Sequence, residues 1–590
     1  MANKYTWAVE DIYSSEKEFE NDFLKAESLA DFKEFSGKLG KKEVFLACLK
    51  KNEEVSRILD KLYVYAMMIH DEDTSLSESS GRLSRVQSLG VKISSSTSFI
   101  TPELTALKKE TLNAFINDPD FSEYDYFLKT LVKSKKHVLS KETENVLALS
   151  GEALSSFKDI FTKIDNADLP LDSFIYKGEK IEMSHAGYGA YMHSDDRALR
   201  RKYFKKYYSA YKSLLNTITS TYSASVKKDV FYARARKHAS ALDAALFSED
   251  VPTKVYSTLV SSVNKNLNLL HKYMSVKKKE SGYKNFHMFD VYASTIKNAE
   301  IKLSYDDAYD LVVSGLAPLK EDYVNLLLKA KEERWIDVYE KKGKKSGAYS
   351  VCVYDTHPYV LLNYTKSTHD IFTIAHELGH SIHSYYSNKN QPYFKADYKI
   401  FVAEVASTVN EVLLLRYLLK TAKDKKTEKF LLSYFLEMIR TTLFRQTQFA
   451  EFEEYSHSLV ENGEPLTRDG MCEKYLEINK KYYGKAVIED EEISYEWARI
   501  PHFYRAFYVY KYATGIISAL SFADMILSDD KDAVDKYKQF LSSGGKDSPV
   551  EILKQAGVDL TKNEPYERAF KTFKEYLERY SSLVIEEENP

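Results

Sequence analysis

Scarcity of helix breakers limits this chain more than any other property. Its 590 residues hold only 12 prolines and 20 glycines, and before Pro102 the glycines are Gly37, Gly40, Gly81 and Gly90 alone. Long segments carry apolar residues at helical period with Lys and Glu between them. The expected fold class is therefore mainly α, with long helices over the first hundred residues. Thr101-Pro102-Glu103 reads as a further helix start, with Thr as cap and proline in the first turn. A chain of this length exceeds what one hydrophobic core supports, so two or more lobes are expected.

Two regions interrupt the helical pattern. Residues 166–184 contain Leu169-Pro170-Leu171 and Phe174-Ile175-Tyr176-Lys177-Gly178-Glu179-Lys180-Ile181, which reads as a small hairpin over residues 174–181. A boundary is expected just after it, dividing the chain into an N-terminal helical lobe, 1–195, and a catalytic region, 196–590. The second region begins with a basic loop at 341–345. Val351-Cys352-Val353-Tyr354 and Tyr359-Val360-Leu361-Leu362-Asn363-Tyr364 then read as strands of a small sheet. Its edge could take an extended peptide as an added strand. Equally, the pair could be a buried hairpin that supports the helix after it.

That helix carries the main chemical signal. In His376-Glu377-Leu378-Gly379-His380 the two imidazoles are spaced i, i+4, so on a helix they share one face and reach one Zn²⁺. Glu377 is then placed to take a proton from a water on that metal. Ser367, Thr368 and Asp370 offer caps for the helix start. Ile371, Ile374, Ala375, Leu378 and Ile382 recur at three- and four-residue steps and form an apolar side apart from the histidines. Gly379 is poor for a helix interior but lets another segment or a substrate come close.

Two histidines do not complete a catalytic zinc site, which takes a third protein ligand and leaves the fourth position to water. A metzincin would carry Gly and His where this chain has His383 and Tyr386, so that class is excluded. A Glu on a following helix is the other common source. Glu404 lies among small and apolar residues, where an unpaired carboxylate is expensive and a metal would offset the cost. Glu411, two turns on along the same face, is placed to orient a ligand. Without the histidine pair upstream, both carboxylates would read as a solvated helix face.

His376-Glu377-Leu378-Gly379-His380-Ser381-Ile382-His383 followed by Phe401-Val402-Ala403-Glu404-Val405-Ala406-Ser407-Thr408-Val409-Asn410-Glu411 resembles oligoendopeptidase F, in the thimet-oligopeptidase-like family of zinc metallopeptidases. Ser346-Gly347-Ala348-Tyr349-Ser350, the run 357–364, Leu541-Ser542-Ser543-Gly544-Gly545 and Ala556-Gly557-Val558-Asp559-Leu560 are similar to that family too, as is Trp7-Ala8-Val9-Glu10-Asp11-Ile12-Tyr13. The resemblance implies two helical lobes around a deep substrate cleft. It implies one Zn²⁺ held by His376, His380 and Glu404, and short peptides as substrates.

A second constellation is Ile500-Pro501-His502-Phe503-Tyr504-Arg505-Ala506-Phe507-Tyr508-Val509-Tyr510-Lys511-Tyr512. If it is helical, Tyr504, Tyr508 and Tyr512 make one stripe. A neutral Tyr hydroxyl or His N–H aimed at the carbonyl oxygen stabilises the transition state of amide hydrolysis. The resemblance implies such a role for His502 with one or more tyrosines, foremost Tyr508 and Tyr504, with Tyr510 and Tyr512 as rivals. In a chain with 46 tyrosines the same stripe also reads as core packing.

Other features have plainer readings. His383 reads as supporting a ligand or as solvated, His357 as a loop histidine, Gly347 and Ala348 as a turn or a close approach to substrate, and Lys277 to Glu280 as a solvated helix face. A net charge of −3 gives no reason to expect nucleic acid or an anionic membrane as partner. Three cysteines without a C-x-x-C pair argue against a disulfide framework and for a reducing, cytoplasmic compartment. The expected function is a zinc endopeptidase acting on short peptides. A zinc exopeptidase and a non-catalytic peptide-binding protein remain the alternatives.

Overall fold

Helices dominate the computed structural model, which describes residues 4–293, 296 and 299–588. Two small sheets complete it. The chain divides into two units. One comprises Met1–Val138, Glu300–Lys420 and Phe522–Val558, and the other Leu139–Ala299, Thr421–Ser521 and Asp559–Pro590. The point near residue 195 thus lies inside the second unit.

In the first unit the breaker-poor N-terminal region forms the long helices Lys42–Glu72 and Ser77–Thr97. Their apolar faces, with Phe45, Leu62 and Val86, share one core with Val353 and with Tyr359 and Leu361 of the sheet. The next helix, Ile100–Ala106, starts ahead of the expected Thr101 cap and has no side-chain cap. Burial of Ile100 draws the chain into helix earlier than the Thr-Pro signal marks.

The three-stranded sheet runs Ile336–Asp337, Tyr359–Leu361, Tyr349–Val351 in spatial order. The first pair is parallel and the second antiparallel. Tyr349–Val351 lies at an edge, two residues ahead of its expected position. Ile336–Asp337 is too short to leave an alternating pattern in the sequence. Asp71, near the end of helix Lys42–Glu72, accepts hydrogen bonds from Lys345 Nζ and Tyr349 Oη, each at 2.9 Å, and so fixes the turn that leads into the edge strand.

The second unit contains the hairpin, Phe174–Tyr176 against Glu179–Ile181, turned at Lys177 and Gly178, which both have positive φ. It also corrects the reading of Lys277 to Glu280. Lys277 is buried and bonds Glu437 at 3.0 Å, while Glu280 pairs with buried Lys429 at 2.7 Å. Partners on distant helices turn this face inward. Cys48, Cys352 and Cys472 are free thiols. Among the described residues no helix is long and apolar enough to cross a membrane.

Candidate active site

Helix Thr368–Asn390 is fixed at its start by a capping box. Asp370 N donates to Ser367 Oγ at 3.1 Å, and Ser367 N donates back to Asp370 Oδ2 at 2.9 Å. Ile371, Ile374, Ala375, Leu378 and Ile382 are buried on its apolar side. Gly379 faces helix Ile400–Thr421 so closely that a Cβ there would lie 2.5 Å from Ser407 Cα. Buried Asn410 ties the two helices together. Its Nδ2 donates to Ala375 O at 3.0 Å, and its Oδ1 accepts from Tyr323 Oη at 2.9 Å.

This contact delivers Glu404 to the histidines. His376 Nε2 lies 3.3 Å and His380 Nε2 3.4 Å from the same atom, Glu404 Oε2. Among the described residues these three form a cluster whose donor atoms lie within 4.8 Å of one another. His376 Nδ1 pairs with Glu411, which holds the ring so that Nε2 faces Glu404. Two imidazole nitrogens and one carboxylate oxygen, with a carboxylate behind the first imidazole, fit Zn²⁺ by donor type and number.

The electrostatics favour a cation here. Burial opposes ionisation of Glu404, but hydrogen bonds from His376 and His380 outweigh it and hold the carboxyl far below its usual range. Burial likewise opposes protonation of His376, yet Glu404 and Glu411 draw its pKa up to about 10. Glu377, only 8% exposed, is pushed the other way. Burial raises its pKa, the two imidazoles oppose the rise, and Glu404 and Glu411 add to it. A raised pKa makes the ionised carboxylate a stronger proton acceptor, as a general base requires.

The edge strand is joined to the same helix, since Ser350 Oγ lies 2.9 Å from Ser381 Oγ, which in turn donates to Glu377 O. Asn363 Nδ2 holds the preceding turn through Lys345 O and Gly347 O. His383 is fully buried, stacked on Tyr398 with centroids 3.8 Å apart, and burial lowers its pKa to about 3. It is a neutral packing group behind the site. His357 stacks on Trp335 and lies 3.0 Å from Asp11 Oδ2, so it secures a loop.

The tyrosine segment belongs to the second unit and is not one helix. A short 3₁₀ turn covers Pro501–Tyr504, Arg505 is extended, Phe507 has φ +51°, and helix resumes at Tyr510–Ile526. The break removes Tyr504 from the expected stripe. Its ring is buried and stacked on Phe161 at 4.4 Å, and its hydroxyl has no hydrogen-bond partner among the described residues. Tyr510 is buried as well, against Tyr256. Tyr508 and Tyr512 instead gather around exposed His502. His502 and Tyr508 stack at 5.9 Å, Tyr508 and Tyr512 meet edge-on at 5.5 Å, and Tyr512 Oη lies 3.4 Å from His502 Nε2.

Sequence reasoning passed over Asn410 and Ser350 as site-building residues. Asn410 had a visible signal, because an amide inside an apolar helical run must find a buried partner. Ser350 had none, since its partner Ser381 is met only through the sheet.

Comparison with known proteins agrees over nearly the whole chain. The family model described as Peptidase family M3 matches residues 190–572, and the one described as Oligopeptidase F matches residues 103–170. Oligopeptidase PepF of Bacillus subtilis (strain 168) is 40% identical over 584 residues, spanning 98% of this chain and 87% of the relative. Group B oligopeptidase PepB of Streptococcus agalactiae is 36% identical, over 99% of this chain and 98% of the relative. The crystal structure of oligoendopeptidase-F from Enterococcus faecium, 33% identical, has a TM-score of 0.75 and covers 97% of this chain and 99% of that one. A crystal structure from Chlamydophila abortus, 36% identical, reaches 0.94 over 99% of both chains. With a family model matched across most of the sequence and relatives matched end to end, the chain belongs to peptidase family M3, in its oligoendopeptidase F group.

Proposed function

We propose that this peptidase is a zinc-dependent endopeptidase that hydrolyses internal bonds of short oligopeptides. The observation that carries the proposal is the convergence of His376 Nε2, His380 Nε2 and one Glu404 oxygen beside the buried carboxyl of Glu377. His376, His380 and Glu404 would hold the metal. When bound, Zn²⁺ supplies Lewis acidity that acidifies water and polarises the scissile carbonyl.

The chain's own residues supply the rest. Glu377 accepts a proton from the attacking water as the new C–O bond forms. It then gives that proton to the amine nitrogen as the C–N bond breaks. The resemblance implies His502 with one or more tyrosines as hydrogen-bond donors to the oxyanion, and we take Tyr508 as that tyrosine because it stacks on His502, with Tyr512 beside them. The edge strand Tyr349–Val351 presents backbone groups to which an extended peptide can add. Its link to the metal-site helix through Ser350 and Ser381 supports that role.

A peptide acetylated at one end and amidated at the other tests the assignment by mass spectrometry of its products. Internal cleavage is expected. Attack on free-ended analogues alone, one terminal residue at a time, would make the protein an exopeptidase. Binding without cleavage by zinc-loaded protein would make it a binding protein.

A further inference from the structure

Phe507 adopts φ +51°, a left-handed conformation that is rare and strained for a bulky side chain. Such a conformation persists where the surroundings impose it. Here the Phe507 amide donates to Glu453 Oε1 on helix Arg445–Glu461 at 2.6 Å. Glu453 is 1% exposed, and the Phe507 ring packs on His457 of the same helix and on Tyr256. A single helix through this segment would place Tyr504, Tyr508 and Tyr512 in one stripe. The reversal at Phe507 ends that path and sets the direction of the next residue, Tyr508.

Tyr508 is then held on several sides. Its ring stacks on His502, meets Tyr512 edge-on, and lies under Arg505 at 4.1 Å and Lys511 at 5.2 Å. Lys511 is itself anchored by Glu249 at 2.8 Å. None of these contacts would survive a helical Phe507, because the Tyr508 side chain would leave from another face.

We propose that Glu453 is a positioning residue for the reaction, holding the Phe507 backbone so that Tyr508 and His502 form one donor cluster. The inference rests on the oxyanion role assigned to that pair. A neutral carboxyl suffices, since the contact needs only an acceptor oxygen. Burial pushes Glu453 up to about 8, with His457 opposing, the Phe507 amide opposing, and Asp229 adding.

Steady-state kinetics on zinc-loaded variants test this, with melting curves to establish that each is folded at the assay temperature. Glu453→Ala is expected to lower kcat about 10- to 100-fold with little change in KM, the scale of loss when a catalytic group is misplaced by an ångström. Glu453→Gln, which keeps the acceptor, is expected to restore kcat to within about twofold of the parent, as a rescue by an isosteric acceptor should. If Glu453→Ala fails to fold, Glu453→Leu fills the same space without the acceptor and should show the same kcat loss. In a Tyr508→Phe background the Ala or Leu change should cost almost nothing further, because both act through one group. Full multiplicative loss in the double variant, or unchanged kcat in a folded Ala or Leu variant, would overturn the inference. Unchanged kcat in both Tyr508→Phe and His502→Ala would instead remove the oxyanion assignment, and this inference with it.

Discussion

Gly379 and Ser407 are in backbone contact across the two helices that carry the candidate metal ligands: a Cβ on Gly379 would lie 2.5 Å from Ser407 Cα and 2.8 Å from Ala406 O. Neither obstacle is a flexible side-chain end, so an added methyl must move a helix. Glu404 lies one turn from Ser407, and any separation carries its carboxylate away from His376 and His380. Gly379→Ala is expected to destabilise the protein by about 1–3 kcal/mol, the usual cost of overpacking. It should also weaken zinc binding by about 10- to 100-fold, as loss of ligand support does. Calorimetric melting and zinc titration read the two effects. Unchanged affinity in the Ala variant would mean that the helix spacing does not set the ligand geometry.

Tyr508 and Tyr504 are expected to behave in opposite ways. Tyr508→Phe removes a hydroxyl from the cluster around His502 and should lower kcat about 10²- to 10³-fold, the cost of one oxyanion donor. Tyr504 is buried against Phe161 with its hydroxyl unpartnered among the described residues. Removing that hydroxyl should leave kcat within about twofold and stability unchanged or slightly higher. Parallel kinetics on the two variants separate the roles, and a large loss of kcat in Tyr504→Phe would reverse them.

Glu453 gives a pH dependence with a defined sign. Its pKa is about 8 in the folded chain and about 4.3 when unfolded. Between those values the unfolded state releases a proton that the folded state keeps, so stability falls as pH rises from about 4 to 8. Complete expression of that difference would cost about 5 kcal/mol above pH 8, an upper bound. The pKa of neighbouring His457 is also raised: burial opposes the rise, but Asp229 and Glu453 outweigh it, so its stabilisation too is lost with rising pH. Glu453→Gln should therefore match the parent near pH 4, melt higher than it at pH 8, and show a flatter curve between. Equal pH slopes for parent and variant would contradict this.

What the sequence disclosed depended on how local the cause was. The i, i+4 histidines, the Ser367 cap and the apolar side of helix Thr368–Asn390 are set within a few turns of chain, and each was legible. Glu404 became legible only beside the histidine pair and through the family resemblance, since alone it would read as part of a solvated helix face. The break at Phe507 was not legible, since no Gly or Pro marks it and the carboxyl that accepts its amide lies 54 residues away. The burial of Lys277 failed for the same reason, its partner Glu437 being 160 residues distant. A point boundary cannot describe units assembled from three separate stretches of chain each.

Cleavage of an end-blocked, internally quenched peptide, followed before chelation, after it, and after zinc is returned, tests the central claim most directly when metal content is measured on the same samples and Glu377→Gln is run beside the parent. Internal cleavage should disappear on chelation and return with a single Zn²⁺ per chain. Glu377→Gln should bind that ion yet turn over about 10²- to 10⁴-fold more slowly, the contribution of a general base. Cleavage that survives complete removal of the metal, or a zinc-loaded Gln variant as fast as the parent, would contradict the account.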